Sequence, residues 1–417
     1  MSVHSGEHSR EDLRPGSRQN SRQDVLWTAL TLALGAAVSL GLARFSYAML
    51  LPPMRSDLGW TYFVAGAMNA LNALGYMVGA WASPRWMRRW GVHSTLVGGG
   101  SVAAVALALH GLTQDTLLLA GLRGLTGMAS AAMFVAGGVL AARLSVRPVQ
   151  GPSLSPGLVL GIFYGGVGLG IVASALLVPV LPAALGLVSW QTGWLALGTL
   201  AALATVTLQR QLTSQMPSLK DESLAAPTSG EVPALRLALV FAPGLAAYFM
   251  FGLGYIGYMT FIVTLLREQH FSVEVVSAFY AVLGVGVMAS PWIWAGWLQR
   301  HRGGQTLALL SLLLALATVI PVLLPDVFWS FVSGGLFGAV FLSVVASTTA
   351  LVRHNLPPSQ WPAGISVFTL VFAWGQVMGP ALVGFLADSA GGLRTGLALS
   401  AAVLALGAAV ATRQRAL

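Results

Sequence analysis

The sequence contains no cysteine, and that absence removes disulfides, zinc–thiolate sites, iron–sulfur clusters and a thiol nucleophile from consideration. Charge is almost as scarce. Only 8% of the 417 residues are Asp, Glu, Lys or Arg, against about 25% in an ordinary soluble domain. Apolar residues make up 56%, so the chain has too little polar surface to cover a water-soluble fold and reads as an integral membrane protein. Acidic residues are the rarer charged set, 13 against 22 basic. The basic excess does not point to nucleic acid, because in a membrane protein what matters is which connections carry it. Also missing are a Walker loop, a strand-to-helix dinucleotide fingerprint and a Ser/His/Asp constellation, so neither an enzyme nor direct coupling to ATP is expected. His93, His110, His301 and His354 share no ligand spacing with one another or with a carboxylate. No metal and no cofactor are expected.

Long apolar runs are what the sequence has instead. Crossing a hydrocarbon core takes about 20 residues at helical rise, and twelve such runs occur, at 25–51, 61–82, 92–111, 116–142, 157–179, 188–208, 236–265, 273–298, 305–324, 327–352, 363–387 and 392–412. The expected fold is an all-α membrane protein of twelve transmembrane helices. Residues 1–24 carry Arg10, Arg14, Arg18 and Arg22 among Ser, Glu and Gln, have no apolar face to bury, and are expected to form a disordered tail. Residues 413–417 form a second, short tail. The longest interior polar stretch, 209–235, holds Lys220, Asp221, Glu222 and the loop formers Pro227, Gly230 and Pro233. It divides the helices into a six-helix bundle at 25–208 and another at 236–412. Seventeen Lys and Arg fall on the side of the N-terminus and three, Arg55, Arg267 and Arg394, on the other. The positive-inside rule then places both termini and the linker in the cytoplasm. Trp27, Trp60, Trp86, Trp90, Trp190, Trp329 and Trp361 fall at or near expected helix ends, where an amphipathic ring suits the interface, whereas Trp374 lies in mid-helix.

Six plus six helices around a cytoplasmic linker is the layout of transporters built from two repeated bundles with substrate between them. Particular residues narrow this. Arg123, Gly127 and Ala131 in LRGLTGMASAA, and Gly375, Gly379, Pro380 and Gly384 in GQVMGPALVG, are similar to patterns of the major facilitator superfamily, and the likeness covers essentially the whole membrane part. The segments GLARFSYAMLLPPM at 41–54, NALGYMVGA at 72–80 and FGLGYIGYMTF at 251–261 resemble its YbfB/YjiJ-type bacterial branch. There are departures. Helix five has Gly161, Gly165, Gly166, Gly168 and Gly170 but no proline after Gly165, and Gly79 is followed four residues on by Ser83 rather than an aspartate, with Arg85, Arg88 and Arg89 beyond. The resemblance implies the major facilitator fold, alternating access, a monomer in a bacterial inner membrane, and gating or packing roles for Gly165, Gly379, Pro380, Arg88 and Arg89.

Charges inside a span are costly and mark function by default. Two occur, Arg44 in helix one and Arg123 in helix four, while all 13 acidic residues lie in tails, loops or helix ends. Arginine stays charged, so each guanidinium needs an anion, carbonyls, phenols or water. Counting seven residues from Leu51 and from Thr116 puts both at about 10 Å depth. Asn69, Tyr255, Tyr258 and Tyr280 fall near the same layer by the same count, and Tyr47, Trp374 and Gln376 complete the candidate substrate site. Structural alternatives stand beside these. Arg44 could snorkel outward past Tyr47, Arg123 could bond the carbonyls of broken helices, Asn69 could glue helices together, each tyrosine could be packing, and Trp374 and Gln376 could be packing or cavity wall.

The expected function is a secondary transporter of a small organic anion of the carboxylate class, whose partners are that small molecule and membrane lipid, with no nucleic acid. The alternative is a proton-driven multidrug or metabolite efflux pump. A cavity for cations usually needs an embedded carboxylate, which this sequence does not have.

Overall fold

The computed structural model describes residues 21–147, 155–184, 189–215, 234–389 and 391–417. The tail to residue 20 and the linker core 216–233 lie outside the described residues. Among the described residues, twelve helices are long and apolar enough to cross a membrane: α1 (Arg22–Leu58), α2 (Tyr62–Trp90), α3 (Val92–His110), α4 (Thr116–Ser145), α5 (Pro156–Ala184), α6 (Trp190–Gln215), α7 (Ala242–Glu268), α8 (Val273–Arg300), α9 (Gln305–Leu323), α10 (Val327–Asn355), α11 (Trp361–Ala387) and α12 (Gly392–Ala411).

The elements follow local chemistry more than hydropathy at their ends. Helix α1 begins at Arg22, inside the stretch expected to be tail, because Ser21 and Asp24 form a reciprocal capping box. It then runs through Pro52 and Pro53 and stops only at Gly59, whose φ of 64° is a left-handed cap. Helix α2 likewise continues past Pro84 for two further turns carrying Arg85, Arg88 and Arg89, since a helix need not end where its apolar run does. The expected helix at 236–265 is instead two pieces, Ala234–Val240 and α7. Pro243 has no N–H to give the Leu239 carbonyl, and Phe241 leaves the helical region between the two pieces. Two of the tryptophans assigned to the interface are tucked into protein: Trp60 donates to Thr116 Oγ1 at 3.1 Å and Trp190 to Asp57 Oδ2 at 2.7 Å.

Helices α1 to α6 pack chiefly among themselves, through α2 on α4, α3 on α4 and α6, and α1 on α5. The second set does so through α8 on α10, α7 on α11 and α12, and α9 on α10 and α12. The sets meet along α2–α11 and α5–α8, and where the second half of α1 reaches α7. Lipid supplies no hydrophobic drive to helix association, so close approach of small residues matters. A Cβ on Gly66 of α2 would lie 2.1 Å from the Pro380 carbonyl oxygen of α11, and one on Gly168 of α5 would lie 2.3 Å from the Gly284 oxygen of α8. Equivalent sequences serve equivalent crossings: Val-Gly-x-x-Ala-Ser-Pro occurs at 78–84 in α2 and 285–291 in α8. Gly79 backs onto Met128 of α4 and Gly286 onto Gly335 of α10, the mark of two repeated bundles.

Candidate functional site

Helix α1 is irregular where the bundles meet. Ala37–Phe45 winds as π-helix, and Ser46 N–H returns to the Gly41 carbonyl at 3.1 Å. Such wide turns are rare and collect at functional sites, because they free carbonyls and re-aim side chains. Three of these carbonyls accept from other helices: Ser39 O from Ser130 Oγ of α4 at 2.6 Å, Ala43 O from Arg123 Nη1 of α4 at 3.4 Å, and Phe45 O from the Tyr280 hydroxyl of α8 at 2.6 Å. The last bond crosses between bundles.

Arg44 sits in this segment. It is 3% exposed, so its head group does not snorkel to the surface, and its Nε and Nη2 are buried without a hydrogen-bond partner. The guanidinium carbon lies 5.3 Å from the Tyr76 ring centroid and 5.9 Å from that of Phe45, and Arg44 is within electrostatic range of Tyr255. Cation–π contact contributes about 0.5–2 kcal/mol, well short of the several kcal/mol that a buried charge costs.

Arg123 differs. Its Nε, Nη1 and Nη2 donate to Met68 O at 3.5 Å, Ala43 O at 3.4 Å and Asn69 Oδ1 at 3.1 Å, and its head lies 4.4 Å from the Tyr47 ring centroid. Asn72 donates to the Arg123 carbonyl at 3.1 Å. Of the two readings the sequence allows for Arg123, these are the bonds of the structural one: it ties α1, α2 and α4 together next to Arg44.

The other candidates divide. Asn69 joins the bundles, accepting from Arg123 and donating to Thr260 Oγ1 of α7 at 2.6 Å. The Tyr47 hydroxyl donates to Ala65 O at 2.9 Å. Gln376 donates to the Tyr255 hydroxyl, which brings both to the Arg44 side. Tyr258 instead pairs with Ser333 Oγ at 2.7 Å and stacks on Phe337 at 4.1 Å, on the α9–α10 side of α7. Trp374 is half exposed and shares a stripe with Leu370, Met378 and Phe385 along the outer face of α11; its placement in the site is corrected by the helical period, which turns it away from buried Gln376. Gly165 packs near Met288, Gly379 against Leu253, and the Pro380 carbonyl over Gly66. Arg88 and Arg89 are exposed at the last turn of α2.

Several site residues were not found from the sequence. Tyr76 faces Arg44, and across the seam Tyr248 and Phe251 of α7, Phe372 of α11 and Phe341 of α10 stack with Tyr255, which the sequence does single out. The positions 248, 251 and 255 lie on one helical face, a signal that was available. The rest is non-local.

One end of the seam is bridged. Asp388, at the end of α11, accepts the Tyr62 and Phe63 N–H groups at the start of α2 at 2.8 and 2.9 Å. The Tyr62 hydroxyl bonds Glu268, its ring lies 6.2 Å from Phe261, and Arg55 stands 3.7 Å over it. We call this the Tyr62 end; Arg88, Arg143, Arg300 and Arg353 mark the opposite, arginine-rich end. Among the described residues no group of three or more His, Asp or Glu could hold a metal ion.

The chain is 25% identical over 362 residues to "Inner membrane transport protein YdhP" of Escherichia coli O157:H7, covering 85% of this chain and 88% of that one. It is 27% identical over 217 residues to "Chloramphenicol resistance protein" of Streptomyces lividans, covering 52% of each. Among solved structures, an inward-facing, occupied bacterial homologue of the human lysosomal transporter Spinster superposes with a TM-score of 0.71 at 16% identity, covering 94% of this chain and 97% of that one. The nucleoside transporter NupG gives 0.69 at 11% identity, covering 92% and 99%. Over residues 36–412 the chain matches the family model described as "Uncharacterised MFS-type transporter YbfB", and it belongs to that family of major facilitator superfamily secondary transporters.

Proposed function

We propose that the protein moves a small organic anion, with Arg44 as the group that takes its carboxylate while the two bundles alternate around it. The observation that carries this is a buried guanidinium with two unpartnered nitrogens at the seam between bundles. A buried charge lacking its partner costs several kcal/mol, and a ligand carboxylate offsets that cost, which is differential binding of the kind that drives transport. Tyr76 and the Tyr255–Gln376 pair frame the anion, and Arg123 positions the π-helical segment without itself being free to bind. Because an empty site with a permanent positive charge is unfavourable, exchange of one anion for another suits it better than return of the empty carrier. We further propose a monomer in a bacterial inner membrane with the arginine-rich end, both termini and the 209–235 linker cytoplasmic. The name of the YdhP relative supports the membrane, and the arginine distribution supports the orientation.

A second reading, efflux of an uncharged or cationic aromatic compound, is favoured by the aromatic stack and by the likeness to the Streptomyces chloramphenicol resistance protein. Thermal shift of the purified protein separates the two, since a ligand that binds only the folded state raises its melting temperature. We expect carboxylates to stabilise the protein and Arg44→Gln to remove the effect. Stabilisation by chloramphenicol or lipophilic cations alone would transfer the assignment to the second reading.

A further inference from the structure

We infer that the anion is an aromatic monocarboxylate, a flat ring bearing one carboxylate and few hydroxyls. This rests on the anion reading above and narrows it on three grounds: the edge of Arg44 left free, the hydrogen-bonding capacity that remains around it, and the shape of the wall opposite.

The unpartnered nitrogens of Arg44 are Nε and Nη2. These two carry N–H bonds that run parallel along one edge of the guanidinium, the edge that receives both oxygens of a carboxylate side-on. A carboxylate therefore matches the vacant donors as a pair. The match is for one carboxylate, because the neighbouring cation is engaged: Arg123 already donates from all three of its nitrogens to Met68 O, Ala43 O and Asn69 Oδ1. A second carboxylate on the ligand would find no free cation in this layer.

Polar capacity nearby is limited. The hydroxyls of Tyr47 and Tyr280 donate to Ala65 O and Phe45 O, and that of Tyr255 accepts from Gln376, which leaves its own O–H to donate to the carboxylate. Asn69 uses its oxygen on Arg123 and its nitrogen on Thr260. A sugar acid would bury more hydroxyls than the few groups left here can pair, and unpaired buried hydroxyls are disfavoured.

On the Arg44 side of the seam stands a row of aromatic rings, of which Phe251, Tyr255 and Phe341 are buried in this conformation. Phe251 and Tyr255 stack at 4.7 Å and 18°, Phe251 and Phe372 at 5.4 Å and 9°, Tyr255 and Phe372 at 5.7 Å and 15°, and Tyr255 and Phe341 at 5.9 Å and 13°. Phe341 meets Phe45, the neighbour of Arg44, edge-on at 5.7 Å. Near-parallel rings from α7, α10 and α11 thus come to the seam beside the guanidinium. A planar ring extends that series, while its carboxylate turns to the Nε/Nη2 edge. An aliphatic ring of the same size has no face to stack.

Affinities measured on the purified protein for benzoate, cyclohexanecarboxylate, succinate and gluconate test this directly. Benzoate should bind about fivefold to tenfold tighter than cyclohexanecarboxylate, the size of a single aromatic pairing preference, and tighter still than succinate or gluconate. Phe372→Leu, checked for folding by its ligand-free melting temperature, should reduce the benzoate preference to about twofold or less while retaining carboxylate binding. Tyr248→Leu, farther along the stack, provides a second variant should Phe372→Leu fail to fold. Cyclohexanecarboxylate, succinate or gluconate binding as tightly as benzoate would overturn the aromatic assignment and leave the anion reading standing. No binding by any of the four carboxylates would overturn both.

Discussion

Alternating access requires the Tyr62 end to open, and the bond geometry there sets how readily it does so. Asp388 of α11 holds the first two N–H groups of α2, at 2.8 and 2.9 Å. A hydrogen bond to a charged group stabilises by about 1.5–3 kcal/mol when sheltered, and a carboxylate at a helix N-terminus by about 0.3–1 kcal/mol when exposed. Asp388 is exposed, and both partners regain water when the bundles part, so screening calls for a value near the lower figures. We take about 1.5 kcal/mol for the two bonds together, roughly tenfold in the closed-to-open ratio. The absence of native cysteine makes the assay clean. Thr264 of α7 is 3% exposed behind the bridge, and Thr264→Cys can report opening through its labelling rate with a membrane-impermeant maleimide. Asp388→Ala should raise that rate about tenfold, with Asp388→Asn intermediate because one acceptor remains. An unchanged rate in a folded Asp388→Ala protein would mean that this bridge does not hold the end shut, and the reasoning from bond count to conformational bias would fail.

Other perturbations have definite outcomes. Gly66→Val places side-chain carbon where the Pro380 carbonyl oxygen stands 2.1 Å from a built Cβ, so it should wedge α2 from α11 and raise Thr264→Cys labelling as Asp388→Ala does. Arg123→Gln should cost about 3 kcal/mol, because acceptors on α1 and α2 lose a buried charged donor, and the melting temperature should fall even without ligand. For the proposed orientation, Lys220→Cys should label from the cytoplasmic face only, as measured by comparing intact cells with inverted vesicles.

Much of the fold is legible in the sequence because a membrane span must satisfy its own backbone, and hydropathy reports that requirement directly. All twelve expected runs overlap a helix. Helix ends were less legible, since Pro52, Pro53 and Pro84 look like terminators yet sit inside helices that continue to Gly59 and Gly91. In the site, Arg44 stands out because a charge in an apolar run is visible without any tertiary knowledge. The role of Arg123 is not visible in the same way. Whether a buried arginine is free depends on carbonyls released by a π-turn 80 residues earlier in the chain, and nothing local in AVSLGLARF announces that turn. Tyr76 and the rings of Phe341 and Phe372 come from separate helices, so only packing reveals that they converge. Trp374 illustrates a simpler lapse: Leu370, Trp374 and Met378 recur at four-residue intervals, and that period alone assigns the tryptophan to the outer face.

The central claim is that Arg44 carries the substrate anion, and counterflow in reconstituted vesicles tests it most directly. Vesicles loaded with excess unlabelled benzoate and diluted into labelled benzoate should take up label transiently, and should still do so with a protonophore present. Arg44→Gln should abolish that uptake while keeping or raising its ligand-free melting temperature, since an unpaired buried charge is removed, and Arg44→Lys should restore little of it, because an ammonium cannot present the parallel edge of a guanidinium. Uptake by Arg44→Gln at the wild-type rate would contradict the account.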